Sequence, residues 1–133
     1  MSYKQFQAFP PDSESFIFRS KLSPLIDELD LGNYKKLKTV RICILALSRT
    51  SRFLVHDLLE LSSLIVETNA FITSNEVDKE CRIYDCPKLT TLSFQRGSFR
   101  RYSLLELRNL PLLTSFDLDT SFRRGKVLHL RGL

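Results

Sequence analysis

Two histidines, three cysteines and one pair of closely spaced aspartates are the residues of this 133-residue chain best suited to chemistry. His56 and His129 stand far apart and in different sequence contexts. With Cys43, Cys81 and Cys86 they complete no Cys-x-x-Cys or mixed His/Cys spacing of the kind that holds zinc. There is no Gly-x-Gly-x-x-Gly and no phosphate-loop sequence, and only four glycines occur in all. No Ser or Cys falls beside both a His and an acid, as an activated nucleophile requires. Asp117 and Asp119 are neighbouring carboxylates, but a lone pair on an open strand face is weak grounds for acid–base work. The expectation is a non-enzymatic chain with no catalytic, cofactor-binding or metal-ligating residue and no cofactor.

Charge supplies the next chemistry. Lys and Arg number 20 against 15 Asp and Glu, a net charge of +5. That balance permits an anionic partner without demanding one. Arg49, Arg52, Arg96, Arg100, Arg101, Arg123, Arg124 and Lys126 recur in short intervals between apolar segments. Gathered along one edge, they would make an anion-binding stripe for the phosphates of RNA or of an anionic membrane surface. The plainer reading of the same residues is a solvated, solubilising edge.

The elements that position these residues are set by a repeat. Leu105-Glu106-Leu107-Arg108-Asn109-Leu110-Pro111-Leu112-Leu113-Thr114-Ser115-Phe116 matches Cys81-Arg82-Ile83-Tyr84-Asp85-Cys86-Pro87-Lys88-Leu89-Thr90-Thr91-Leu92 position by position. Earlier copies begin at Leu29 and Phe53, and a fifth begins at Leu128. Each unit opens on an alternating apolar pair, Leu29/Leu31, Phe53/Val55, Cys81/Ile83, Leu105/Leu107 and Leu128/Leu130. That alternation is the signature of a short strand with one buried face. Asn33, Asp57, Asp85 and Asn109 follow two residues later, where such side chains suit a sharp turn. A Leu-x-x-Leu-x-Leu segment comes next, as Leu37/Val40/Ile42, Leu61/Leu64/Val66, Leu89/Leu92/Phe94 and Leu113/Phe116/Leu118. Leu47, Phe71, Phe99 and Phe122 close the units and predict a stacked, aromatic-rich spine. Only five positions, such as Ser48–Arg52, then separate this residue from the next strand, room for about one helical turn. The second unit is longer, and its polar Asn75–Glu80 stretch reads as a surface loop.

If the Leu-x-x-Leu-x-Leu strands lie parallel, alternate residues point outward. The expected partner-binding face is then Thr39, Ser63, Thr91 and Ser115; Arg41, Ser93 and Asp117, with Ile65; and Glu67, Gln95 and Asp119, with Cys43. It is small, hydroxyl-rich and free of aromatic anchors. On the other strand Arg82 and Glu106 should lie side by side, as should Glu106 and His129. A further ladder runs Gly32/His56/Tyr84/Arg108/Arg131.

Residues 1–28 fit the phrase poorly. They are read as an N-terminal cap in which Phe6, Phe9, Phe16, Ile17 and Phe18 cover the first coil and Ser23-Pro24 starts a helix. Ser15-Phe16 also echoes Ser98-Phe99. No stretch approaches the roughly 20 apolar residues of a membrane span, and the first residues lack the apolar core of a secretory signal. Three cysteines make no disulfide framework. Cys81 and Cys86 sit where other copies carry Leu or Phe, so they are expected as core residues in an intracellular, cytoplasmic protein.

The run Asp85-Cys86-Pro87-Lys88-Leu89-Thr90-Thr91-Leu92-Ser93-Phe94, with its partner Leu105–Phe116, resembles irregular leucine-rich repeats and is similar to the protist-type and BspA-like repeats. The resemblance covers about four-fifths of the chain. It departs from the standard phrase at the Asn position, held by Asn69 but by Leu45, Gly97 and Ser121 elsewhere. It implies a right-handed solenoid used for protein–protein contact. The expected architecture is thus a leucine-rich-repeat solenoid over residues 29–133, mainly β. Short parallel strands lie on both sides of each coil, with little helix. Four full repeats begin near 29, 53, 81 and 105, and a partial fifth near 128. The expected function is a protein-binding scaffold, either a subunit of a larger assembly joined through the C-terminal coil or a fragment of a longer repeat protein. The alternative is an RNA- or phospholipid-associated subunit that uses the arginine edge.

Overall fold

A computed structural model describes residues 8–19, 26–71 and 79–118, and the backbone of 127–131. The chain winds as a parallel β-solenoid of about four turns, with no helix among the described residues. Each coil gives one short strand to each of two sheets. Sheet A holds β1 (Ser15–Phe18), β3 (Thr39–Ile42), β5 (Ser63–Val66), β7 (Thr91–Phe94) and β9 (Ser115–Asp117), in that order. Sheet B holds β2 (Glu28–Asp30), β4 (Arg52–His56), β6 (Glu80–Tyr84), β8 (Leu104–Arg108) and β10 (Val127–Arg131). Every described pairing is parallel. The Leu-x-x-Leu-x-Leu strands expected around residues 40, 64, 92 and 116 are therefore β3, β5, β7 and β9 of sheet A, and the alternating pairs build sheet B.

Period-two burial explains the winding. In β3, Val40 and Ile42 are buried while Thr39 and Arg41 are exposed, and β5 and β7 repeat the pattern. Stacking puts like on like. Phe16, Val40, Leu64 and Leu92 form one column, continued by the half-buried Phe116. Leu29, Phe53, Cys81 and Leu105 form its counterpart in sheet B. Burying one such side chain contributes about 1.5–3 kcal/mol, and only stacking against neighbouring coils completes that burial. The expected spine is present where described. Phe71 stacks on Phe99 at 4.5 Å between centroids and packs against Phe53 at 4.7 Å. Cys81 and Cys86 are buried free thiols.

The first sheet extends to Ser15. β1 pairs with β3 in the register Ser15↔Thr39 and Phe16↔Val40, so Ser15-Phe16 stands on the Leu-x-x-Leu-x-Leu strand rather than at the Ser98-Phe99 position. Phe9 lies over this end, 4.8 Å from Phe16 and 5.5 Å from Tyr34. The expected helix start at Ser23-Pro24 and most of the expected polar loop, through residue 78, lie outside the described residues.

Left-handed backbone recurs at fixed places in the coils, though not at Asn33, the counterpart of Asp57. Asp57, Asp85 and Asn109 have φ near +56°, at the turn that ends a sheet-B strand. Leu45, Asn69 and Gly97 share a second such position, and Leu47, Phe71 and Phe99 a third. Hydroxyls before the sheet-A strands tie the coils together: Ser62 Oγ donates to the Lys38 carbonyl, Thr90 Oγ1 to that of Ser62, and Thr114 Oγ1 to that of Thr90.

Candidate functional site

Three surfaces carry the polar residues, and they differ in how far the protein satisfies its own charges. Sheet A presents the expected hydroxyl column, in register as Thr39↔Ser63↔Thr91↔Ser115 and lengthened by Ser15. Thr39 donates to Ser15 Oγ at 3.2 Å. Arg41, Ile65, Ser93 and Asp117 form the next column, with Ile17 as an additional exposed rung. Glu67 and Gln95 stand at the strand ends; Asp119 lies outside the described residues. Arg41 is committed, with Nη1 2.6 Å from Glu67 Oε2. The other Glu67 oxygen accepts from the Ile44 amide. Burial, then the charge and hydrogen bond of Glu67, push the Cys43 thiol up against the pull of Arg19 and Arg41. It is therefore a poor thiolate at neutral pH.

Sheet B is a lattice of ion pairs running across the coils. Arg52 belongs to β4, not to a turn, and bridges Glu28 at 3.5 Å and Glu80 at 2.8 Å. Arg82 bridges Glu80 at 3.1 Å and Glu106 at 3.3 Å, the adjacency expected from the repeat. Arg108 approaches Asp85 and Glu106 and lies 4.5 Å over the Tyr84 ring. Partial burial favours the neutral form of Glu80, but hydrogen bonds and charges from Arg82 and Arg52 prevail and lower its pKa. β10 pairs with β8 in the register His129↔Glu106.

His56, on the ladder that runs from Gly32 to Arg131, is held by contacts on three sides. Its ring stacks on Tyr84 at 5.0 Å and 13°. Nδ1 lies 2.6 Å from Asp57 Oδ2, and Nε2 lies 2.9 Å from Asp30 Oδ1 on the preceding coil. Burial alone would lower its pKa, but the hydrogen bonds and charges of Asp57 and Asp30 outweigh it and leave the pKa raised. The bond to His56 is the largest influence on Asp57, whose pKa is lowered. Gly32 was the available signal. It occupies the His56 ladder position one coil earlier, and a Cβ there would collide with His56 Nε2. Among the described residues no group of His, Cys, Asp and Glu is arranged to hold a metal ion.

The third surface is the turn edge. Arg49, Arg96, Arg100 and Arg101 are exposed there and form no ion pair among the described residues. Arg123, Arg124 and Lys126 lie outside the described residues. The four strand arginines whose side chains are described, Arg41, Arg52, Arg82 and Arg108, are all paired. Uncompensated positive charge is thus concentrated in the turns.

Comparison with protein-family models, with curated proteins and with solved structures finds no match for this chain.

Proposed function

We propose that this chain is a right-handed, leucine-rich-repeat-like solenoid that serves as a non-enzymatic protein-binding scaffold and presents sheet A to its partner. The observation that carries the reading is the contrast between the two sheets. Sheet B consumes its charged side chains in contacts between coils, so covering it would desolvate many paired groups at once. Sheet A offers a row of small hydroxyls beside Ile17 and Ile65, with Arg41–Glu67 as the fixed pair on its central rungs. A flat partner surface can approach that row closely and with little desolvation.

The test is affinity capture by the tagged chain from extracts of its own cells, with and without nuclease, alongside Ser63→Arg and Thr91→Arg variants shown to fold. A defined protein retained after nuclease and lost with either variant supports the scaffold. Retention by both variants removes sheet A from the reading.

The unpaired turn arginines support a second reading, an RNA- or phospholipid-associated subunit. Binding that falls steeply with salt and is abolished by nuclease, or is transferred to anionic vesicles, would favour it. Charge reversal of Arg100 and Arg101 without effect on such binding would eliminate it.

A further inference from the structure

We infer that the His56 imidazolium is a proton-operated clip that fastens the first coil of the solenoid to the second. The argument starts from donors and acceptors. A neutral imidazole has one N–H and one lone pair, whereas an imidazolium has two N–H donors. Both His56 nitrogens face carboxylate oxygens, at 2.6 Å and 2.9 Å, and ionised carboxylates only accept. Both bonds therefore exist together only when the ring is charged. Loss of the proton sets a nitrogen lone pair against a carboxylate.

The geometry decides which contact yields. Asp57 is the next residue in the chain and makes the shorter bond, so it stays with the ring. Asp30 ends β2, a three-residue strand, and its Oδ1 also accepts from the Gly32 amide at 2.9 Å. The strain of deprotonation falls on the β2–β4 junction. There, Leu31 N donates to Leu54 O, and Ser51 N and Arg52 N donate to Asp27 O.

The other groups around the ring fit this assignment. Tyr84 of β6 stacks on it, and burial, then the charges of Asp57 and Asp30, push the phenol up, so it stays neutral. Arg108 of β8 lies beyond Tyr84 and pairs weakly with Asp85. Lys35 donates to the Asp57 carbonyl. Two carboxylates in contact outweigh these more distant cations, in keeping with the raised His56 pKa.

The sign follows. A histidine whose folded pKa exceeds its unfolded value contributes stability fully below the unfolded value, about 6.5, and loses it as pH rises through the folded pKa. The depressed Asp57 contributes above the ordinary carboxylate range and loses its contribution as pH falls through its folded pKa. The junction is tightest in mildly acidic solution and loosens on the alkaline side.

The experiment is amide hydrogen exchange on the intact chain from pH 5.5 to 8.5, corrected for intrinsic rates, using β6–β8 amides as the internal reference. In the unsubstituted protein, protection at Leu31, Gly32 and Arg52 should fall by about threefold or more across the His56 titration, which NMR of the imidazole follows directly. In His56→Gln and in Asp30→Asn that pH dependence should vanish, and in Asp30→Asn the His56 pKa should drop. Should His56→Gln fail to fold, Asp30→Asn decides alone. Protection independent of pH in the unsubstituted chain overturns the clip. So does a pH dependence that survives Asp30→Asn, since the proton would then act within one coil.

Discussion

Residue by residue, the coil is shaped by left-handed backbone, and not every side chain there suits it. A non-glycine residue in this region costs roughly 1–2 kcal/mol, less for Asn and Asp. The repeat meets the requirement with Asn69 and Gly97 in two coils but places Leu45, 44% exposed with φ +62°, at the same position in another. Leu45→Gly should therefore raise stability by about 0.5–1 kcal/mol, because relieved strain exceeds the burial lost. Gly97→Ala should act oppositely and cost about 1–2 kcal/mol, since its φ is +76° and a Cβ would stand on Asn69 Oδ1. Urea midpoints of the two variants test this; shifts of the same sign would refute the shared-position argument. Asp57, Asp85 and Asn109 were legible as turn residues because their types favour such backbone. Leu47, Phe71 and Phe99 were not, since nothing in a leucine or phenylalanine announces positive φ. The His56 contacts were hard to read for a different reason: they join Asp30, His56 and Asp57, which belong to three separate columns and two coils, and only Gly32, on the His56 column, hints at them.

Among elements, strands were the most readable. Alternation at Phe53/Val55 or Leu105/Leu107 marks a half-buried strand, and β4 and β8 lie there. β1 escaped because Phe16-Ile17-Phe18 is continuously apolar, and periodicity alone cannot type such a run. Turns between sheets were the least readable. Tyr102 lies in the turn between β7 and β8, yet its hydroxyl donates to the Thr50 carbonyl two coils back. Thr50 Oγ1 in turn donates to the Ile26 carbonyl at 2.6 Å. This chain of bonds fixes the turns as the sheets fix the strands. Tyr102→Phe should cost about 1 kcal/mol, read as a lower thermal midpoint. Phe99→Ala should cost about 3–5 kcal/mol, because the ring contacts Phe53, Phe71, Phe94 and Tyr102. Equal losses from the two would show that the hydroxyl rather than the aromatic spine governs this region.

At the scale of the molecule, the arginines are sorted by position: those of the strands are paired, whereas Arg49, Arg96, Arg100 and Arg101 in the turns form no ion pair among the described residues. Replacing Arg49, Arg100 and Arg101 together by Gln should leave stability within about 0.5 kcal/mol, as exposed substitutions usually do. Arg82→Met alone should cost on the order of 1 kcal/mol, since it removes the cation shared by Glu80 and Glu106 and leaves Glu80 to Arg52 and Glu106 to the more distant Arg108. Chemical denaturation separates the cases; a larger loss from the triple variant would mean that the turn arginines are structural. The tether from Tyr102 to Thr50 has a mechanical consequence as well. Pulled apart along its axis, a stack of coils should shed them singly, each freeing 24–28 residues by the register, or about 8–10 nm of extended chain. A side chain that grips the coil beyond its neighbour denies the intervening coil its own rupture. In an optical trap, the second to fourth coils should let go in one longer step, and Tyr102→Phe should divide that step in two.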